Sequence, residues 1–259
     1  MKPSLPIPGT DDVERITKFV KKVVYDAEAK GVAVGLSGGI DSAVSSALCV
    51  RALGKDRVLG VLMPSNSTPR RDMADARALA SRLGIRLVEI GVSSIVDALI
   101  SSASMKGTKL SVANVQARAR MMVLYFLANS SGLLVVGTGD RSEIEMGYFT
   151  KYGDGGADFL PIGHLYKTQV RGLGRILGVP KTIVNKASSP ALWPGQTAKD
   201  ELPVEYPRLD AILHLLLDEK RPPPASARIA GVSLRVVERI QRMHRRSAHK
   251  RELPPRLSD

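Results

Sequence analysis

The stretch that decides the fold is VAVGLSGGIDSAVSSAL, residues Val32–Leu48. It opens with VAVGL, a short apolar run that predicts a buried strand. A helical pattern begins at Asp41, and Ser37, Gly38 and Gly39 stand between the two. Because a plain turn needs one glycine at most, two glycines with an acid and two hydroxyls predict a loop that holds a ligand.

Short apolar strands alternate with helices along the rest of the first half. The predicted strands are 32–36, 57–64, 85–90 and 133–139. The predicted helices between them are 41–53, 70–84 and 111–131. Apolar strands joined by helices predict the α/β class, as a doubly wound parallel sheet with helices on both faces. In such sheets ligands bind beyond the carboxyl ends of the strands.

The second half is predicted to be looser and mainly helical. Loops are predicted at 138–161 and 188–207, with a hinge at 221–226. Helices are predicted at 166–178, 207–220 and 232–246. We interpret residues 1–259 as one domain, with an N-terminal helix in 1–30, a core in 31–187 and a helical C-terminal region in 188–259.

Composition narrows the class of protein. The longest strongly apolar run, Met121–Ala128, is far shorter than the ~20 residues of a membrane span, and the start has no apolar signal segment. The chain has one cysteine, Cys49, which permits no internal disulfide and is expected to be a buried hydrophobe. These features predict a cytoplasmic protein without membrane partners.

The charge is strongly positive and unevenly placed. Of a net +13, residues 220–259 carry +8, from 11 Lys and Arg against 3 Asp and Glu. A basic surface is one signature of nucleic-acid binding, so that class of partner stays open. Aromatic residues are only 4% of the chain, which argues against single-strand stacking platforms, and nucleic acid is not the expected partner.

The loop Ser37–Ser42 has the features of a phosphate cradle. In a strand, glycine turn and helix arrangement, free backbone N–H groups and the helix dipole face an anion. The hydroxyls of Ser37 and Ser42 add donors, and Asp41 indicates a Mg²⁺ ion bridging acid and phosphate. The loop fits neither GxxxxGK[ST] nor GxGxxG. The alternative is a tight turn with a capped helix.

The residues SGGIDS resemble the pyrophosphate loop of the ATP-pyrophosphatase superfamily, whose members cleave ATP between the α and β phosphates. Later segments are more specific: GLSGGIDSA, NVQARARM, GTGDRSE, GYFTKYGDGGADFLPI, LYKTQVR, LWPGQT and AHKR. In order and spacing they resemble the ammonia-dependent NAD⁺ synthetase family over almost the full chain. The resemblance implies a homodimer and the fold predicted above.

The resemblance also implies a reaction. The carboxylate of deamido-NAD⁺ would attack the α-phosphate of ATP, giving an adenylate and pyrophosphate. Ammonia would then displace AMP and give NAD⁺. A glutamine-using enzyme would need a further domain with a nucleophilic cysteine, for which Cys49 in a predicted helix is a poor candidate; free ammonia is therefore the expected nitrogen source.

Site residues are carried over from the matching motifs. The resemblance places ATP at Gly35, Leu36, Ser37, Gly38, Gly39, Ile40, Asp41, Ser42, Thr138, Lys167 and Ser189. It places Mg²⁺ at Asp41 and Glu143, and deamido-NAD⁺ at Arg118, Lys151, Asp158, His249 and Lys250. Asp41 and Lys167 are expected to act in catalysis, with Asp154 guiding ammonium or accepting its proton. Arg120 stays open between a solvated side chain and a ligand contact.

Two other functions remain as alternatives. One is a different enzyme of the same superfamily, such as a tRNA-modifying or GMP-forming one, which the basic C-terminus would suit. The other is an ATP-binding sensor without catalysis. Such a sensor would tolerate the loss of Glu143 or Lys167, and both are present.

Overall fold

A computed structural model describes residues 5–104, 106–189, 193, 195–196 and 198–257. The strands are β1 (Gly31–Gly35), β2 (Val58–Leu62), β3 (Arg86–Glu89) and β4 (Leu133–Val136). The helices of the first half are α1 (Thr10–Asp26), α2 (Ile40–Leu53), α3 (Arg70–Leu83), α4 (Ser93–Ser102), α5 (Lys109–Ser131) and α6 (Arg141–Met146). Those of the second half are α7 (Lys167–Ile176), α8 (Lys181–Val184), α9 (Ala198–Glu201), α10 (Tyr206–Leu213), α11 (Pro223–Ala230), α12 (Leu234–Arg246) and α13 (Ala248–Arg251).

The four strands form one parallel sheet in the order β3-β2-β1-β4. Val32 of β1 pairs with Val58 on one side and Leu134 on the other. The chain moves outward from β1 to β3 and then crosses back to β4, so the strand order reverses between β1 and β4. Such a switch point opens a crevice at the carboxyl ends of the two strands.

Helices cover both faces of this sheet, as predicted. Val32 and Val34 of β1 pack into one core with α1, α2, α3 and α7. Ala33, between them, points to the opposite face and packs with α5 and β4. Alternate residues of a strand face opposite sides, so a strand that is apolar throughout is buried on both. The doubly wound α/β prediction is confirmed.

A second core lies in the C-terminal region, where α10, α11 and α12 pack together. Leu209 and Ile212 of α10 meet Val237 and Ile240 of α12 there, and all four are buried. Tyr166, which directly precedes α7, also joins this core. The C-terminal helices are thereby attached to the start of α7.

Several predicted loops contain helices. The predicted 138–161 loop contains α6, because Asp140 and Glu143 form a capping box that starts a helix there. The predicted 188–207 loop contains α9, and α4 was not predicted. The predicted 207–220 helix changes into a π-helical turn at His214–Asp218. Helix α11 begins inside the predicted 221–226 hinge, at Pro223, because proline is favoured in the first turn of a helix.

Helix α5 is not buried all round, although its apolar sequence predicts this. Within one chain it exposes Met122 and Phe126, the latter with 68% of its surface accessible, and Leu110, which lines the cavity described below. Leu99 of the neighbouring α4 is 55% exposed. Among the described residues no helix is both long and apolar enough to cross a membrane.

Candidate functional site

The loop between β1 and α2 is held open by its own side chains. The Ser42 hydroxyl donates to the Gly39 carbonyl at 3.0 Å and lies 3.1 Å from the Ser37 hydroxyl. Gly38 has φ +75°, and a Cβ there would lie 2.3 Å from the Asp72 carbonyl oxygen. In the described structure no side chain caps α2, so the amino end of this helix stays available to an anion.

A cavity of about 440 Å³ opens at the switch point of the sheet. It is lined by residues that end β1, β2 and β4: Gly35, Leu36, Leu62, Met63, Val136, Gly137 and Thr138. Ser37, Asp41 and Ser42 of the loop also line it, as do Glu143, Asp154, Ser189 and Lys250. Seven of the eleven predicted ATP residues therefore meet in one cavity, whereas Gly38, Gly39, Ile40 and Lys167 are not among its lining residues.

Lys167 sits behind the phosphate loop among three carboxylates. Its Nζ lies 2.7 Å from Asp41 Oδ2, 2.7 Å from Glu143 Oε1 and 3.0 Å from Asp140 Oδ2. The side chains of Lys167 and Asp140 are completely buried. Three carboxylates and one ammonium leave a formal charge of −2 at this place, which we call the Lys167 cluster.

Burial and mutual charge shift the pKa values of Lys167, Glu143 and Asp140. Burial alone would lower the pKa of Lys167, but the charges of Asp140, Asp41 and Glu143 raise it. Burial raises the pKa of Glu143 to about 7, with Lys167 opposing and Asp41 reinforcing the change. Burial also raises the pKa of Asp140. Such pKa shifts in a cleft are typical of functional sites.

The cluster suits a divalent cation. Asp41 Oδ1 is buried and, in the described part of the chain, accepts no hydrogen bond, whereas Asp140 Oδ2 accepts none either but is paired with the Lys167 ammonium at 3.0 Å. Across the described residues no three His, Cys, Asp or Glu side chains are arranged to hold a metal by themselves. Mg²⁺ takes one or two carboxylates and completes its octahedron with water and phosphate oxygens, so Asp41 and Glu143 fit this metal.

A second polar group of the cavity lining surrounds Asp154. Its Oδ1 accepts the backbone N–H of Thr150 at 2.8 Å, and Lys250 donates to the Gly147 and Phe149 carbonyls at 2.7 Å each. Water reaches Asp154 through the cavity, but the surrounding protein desolvates it and raises its pKa. A carboxylate in this position is suited to bind or accept a proton.

Four predicted dinucleotide residues lie outside the cavity lining. The Arg118 guanidinium donates to the Lys151 carbonyl at 3.3 Å, and Lys151 Nζ donates to the His249 carbonyl at 2.5 Å. These three residues form a connected group at the protein surface, in which His249 takes part through its backbone carbonyl. Asp158 instead accepts the backbone N–H of Val135 at 2.6 Å, a contact that ties its loop to β4.

Three residues in or behind the site were not predicted to act there. Arg120 lines the cavity and donates to the Met63 carbonyl at 3.0 Å. Lys186 donates to the Gly38 carbonyl at 2.9 Å and joins the phosphate loop to α3. The sequence contained a signal for Asp140, because an Asp three residues before Glu143 is a capping-box pattern that marks the start of a helix. Within LWPGQT, residues 192, 194 and 197 lie outside the described residues.

Residues 12–254 match the NAD synthase family. The chain belongs to this family. A relative from Hyperthermus butylicus, an NH₃-dependent NAD⁺ synthetase, is 51% identical over 241 residues, covering 93% of this chain and 87% of the relative. The sequence resemblance to the NAD synthetase family is confirmed.

Solved structures of the NAD synthase family share the fold. The NMN synthetase of Francisella tularensis has a TM-score of 0.88 and 36% identity, over 98% of this chain and all of that one. A glutamine-dependent NAD⁺ synthetase from Acinetobacter baumannii, with ADP bound, has a TM-score of 0.66 and 29% identity. That match covers 98% of this chain but only 48% of the Acinetobacter one.

Proposed function

We propose that the chain converts deamido-NAD⁺, ATP and ammonia into NAD⁺, AMP and pyrophosphate through an adenylated dinucleotide. The observation that carries this proposal is the Lys167 cluster beside an open phosphate loop in a cavity at the switch point. Family membership and the NH₃-dependent relative support the choice of acceptor and nitrogen source.

In the first step a carboxylate oxygen of deamido-NAD⁺ attacks the α-phosphorus and the bond to the β-phosphate breaks. The charge that builds up on the departing pyrophosphate is stabilised by the amino end of α2, by the hydroxyls of Ser37 and Ser42, and by Lys167. When bound at Asp41 and Glu143, Mg²⁺ would draw electron density from the phosphate oxygens. The remaining work of these residues is orientation.

In the second step the nitrogen of ammonia attacks the acyl carbon, AMP leaves with the oxygen, and nitrogen loses a proton. Asp154 is our candidate to receive that proton, because its desolvated carboxylate has a raised pKa and faces the cavity. The only cysteine, Cys49, is fully buried with its pKa raised to about 12 by burial, so it cannot attack glutamine. Free ammonia therefore fits better than glutamine.

The test is product formation with purified protein, ATP and Mg²⁺. Parallel reactions receive deamido-NAD⁺ with ammonium, deamido-NAD⁺ with glutamine, or the acid form of NMN with ammonium. NAD⁺ in the first reaction alone, with AMP in equal amount, is the expected result. Faster conversion of the acid form of NMN would instead indicate the NMN synthetase activity for which the Francisella relative is named. The absence of an amide product from every mixture would overturn the proposal.

The metal and the site residues have separate tests. Titration with Mg²⁺ in the presence of ATP should restore activity after chelation, and Asp41→Asn should raise the Mg²⁺ concentration needed by at least tenfold. For deamido-NAD⁺, Arg118→Ala, Lys151→Ala, His249→Ala and Lys250→Ala should raise KM. Unchanged KM in a variant removes that residue from the proposed binding set.

We also propose a homodimer through the exposed face of α5. The large apolar residues Met122 and Phe126, one helical turn apart, are both exposed, and exposed apolar residues that lie together are of the kind that usually marks an interface. Phe126→Glu should halve the mass seen in sedimentation, whereas Tyr25→Glu, at an 83% exposed apolar residue of α1, should not. A monomeric wild type would refute this. Use of ATP as co-substrate supports a cytoplasmic location.

A further inference from the structure

A buried hydrogen-bond network joins the C-terminal helices to the amino end of α7. Asp210 of α10 is completely buried. Its Oδ1 accepts the Ser142 hydroxyl at 2.6 Å, and its Oδ2 accepts the backbone N–H of Thr168 at 2.8 Å. The Ser142 oxygen in turn accepts the backbone N–H of Lys167 at 2.9 Å.

This network supplies what the start of α7 lacks. The first N–H groups of a helix have no acceptor within the helix, and the residue before α7, Tyr166, makes no side-chain cap among the described contacts. Asp210 therefore caps α7 from a distant part of the chain, directly at Thr168 and through Ser142 at Lys167.

The same carboxylate also holds two helices together at one point. Ser142 belongs to α6, which carries Glu143 and begins directly after Asp140, whereas Lys167 is the first residue of α7. Asp210 bonds to both helices, so it sets the separation between the lysine and the carboxylates of the Lys167 cluster. Asp210 itself does not line the cavity.

We propose that Asp210 is a positioning residue that holds Lys167 in place for the cleavage of ATP. The inference rests on the proposed function, in which Lys167 stabilises the departing pyrophosphate. Stabilisation of this kind depends on geometry, and a displacement of about 1 Å can cost roughly 100-fold in rate. Helix α10 would then contribute to catalysis through Asp210, a residue that does not line the cavity.

The first half-reaction can be measured alone by exchange of labelled pyrophosphate into ATP, with deamido-NAD⁺ present and ammonia absent. Asp210→Asn is the test variant. The control is Asp218→Asn, a change of the same kind in the adjoining π-helical turn, where, among the described residues, the carboxylate accepts bonds from side chains and none from the backbone of α7. Those donors are Arg141, Tyr166 and His214.

For Asp210→Asn we expect kcat of exchange to fall about 100-fold, with KM for deamido-NAD⁺ within twofold of wild type. Asp218→Asn should keep kcat within about threefold. Thermal unfolding of both variants shows whether they have lost stability to a similar extent. Ser142→Ala removes the Ser142 bonds to Asp210 and to the Lys167 N–H but leaves the Asp210 bond to Thr168. Its kcat should fall about tenfold, and it carries the test if Asp210→Asn does not fold.

Two failures can be told apart. If the wild type gives neither exchange nor NAD⁺, the proposed function is wrong. The positioning role of Asp210 is overturned if the wild type is active and Asp210→Asn exchanges as fast as Asp218→Asn. It is also overturned if Asp210→Asn raises KM for deamido-NAD⁺ without lowering kcat.

Discussion

Replacing Lys167 by Met tests whether this lysine neutralises its three neighbours. Methionine has a similar length and no charge, so the substitution leaves three carboxylates in a largely buried place. Breaking a buried ionic group in this way typically costs about 3–5 kcal/mol of unfolding free energy. For a chain of 259 residues 1 kcal/mol shifts Tm by roughly 2–4 °C, so we expect Lys167→Met to melt roughly 10 °C lower at pH 8.

The loss should depend on pH in a definite direction. In the wild type the pKa of Glu143 is about 7 although Lys167 lowers it, so without Lys167 it rises further. The unfolded pKa of this carboxyl group is 4.5, below its pKa in the folded state. As the pH falls, the group is therefore protonated at a higher pH in the folded state than in the unfolded state. Between about pH 7 and pH 4.5 acidification therefore stabilises the fold, more strongly in the variant. The deficit of Lys167→Met should shrink from pH 8 to pH 5.5.

Thermal unfolding by circular dichroism, without ligands and at both pH values, measures this deficit. Lys186→Met is the matched control, because Lys186 is bonded to Asp72 at 2.8 Å and to Asp75 in a partly exposed place. That control should lose about 1 kcal/mol at either pH. Lys167 does not neutralise its neighbours if Lys167→Met costs no more unfolding free energy than the control at pH 8, or if its deficit grows in acid.

Three further outcomes follow from contacts in the structure. Gly38→Ala should weaken ATP binding at least tenfold by calorimetry, because the new Cβ would meet the Asp72 carbonyl at 2.3 Å, and Gly39→Ala should weaken it less. Cys49, fully buried with a pKa of about 12, should react with a thiol reagent only after denaturant is added. Asp158→Ala should lower unfolding free energy by about 1–3 kcal/mol in urea titration, since a β4 N–H loses its acceptor; an unchanged urea midpoint would contradict this.

The sheet and its phosphate loop could be predicted because both depend on local patterns. Apolar runs such as Val32–Leu36 are strands in the structure, and the two glycines and two serines of the loop lie where the cavity opens. Short helices were missed where capping rather than periodicity starts them. α6 is the main case, since Asp140 and Glu143 define it and also supply charge to the site.

The choice between two arginines shows the limit of the sequence. Arg118 and Arg120 are two positions apart in α5, so they point in different directions around the helix. The family motif selected Arg118, which is exposed, while Arg120 lines the cavity. Which side of a helix faces the site depends on how α5 packs on the sheet. The contact of Lys167 with Asp41 also depends on packing, because the fold brings together two residues that are 126 positions apart in the sequence.

The charge of the cavity connects the two halves of the proposed reaction. Acids outnumber bases in its lining, with Asp41, Asp72, Glu143, Asp154 and Glu201 against Arg120 and Lys250. A cavity with a net negative lining repels ATP and deamido-NAD⁺ unless a cation enters with them, which supports the proposal that Mg²⁺ is required. The same excess of negative charge attracts ammonium. In the proposed reaction a Mg²⁺ ion held at Asp41 and Glu143 would offset the negative charge of the Lys167 cluster, and Asp154, which also lines the cavity, would remain to receive ammonium. We therefore expect ammonium to bind after the nucleotides.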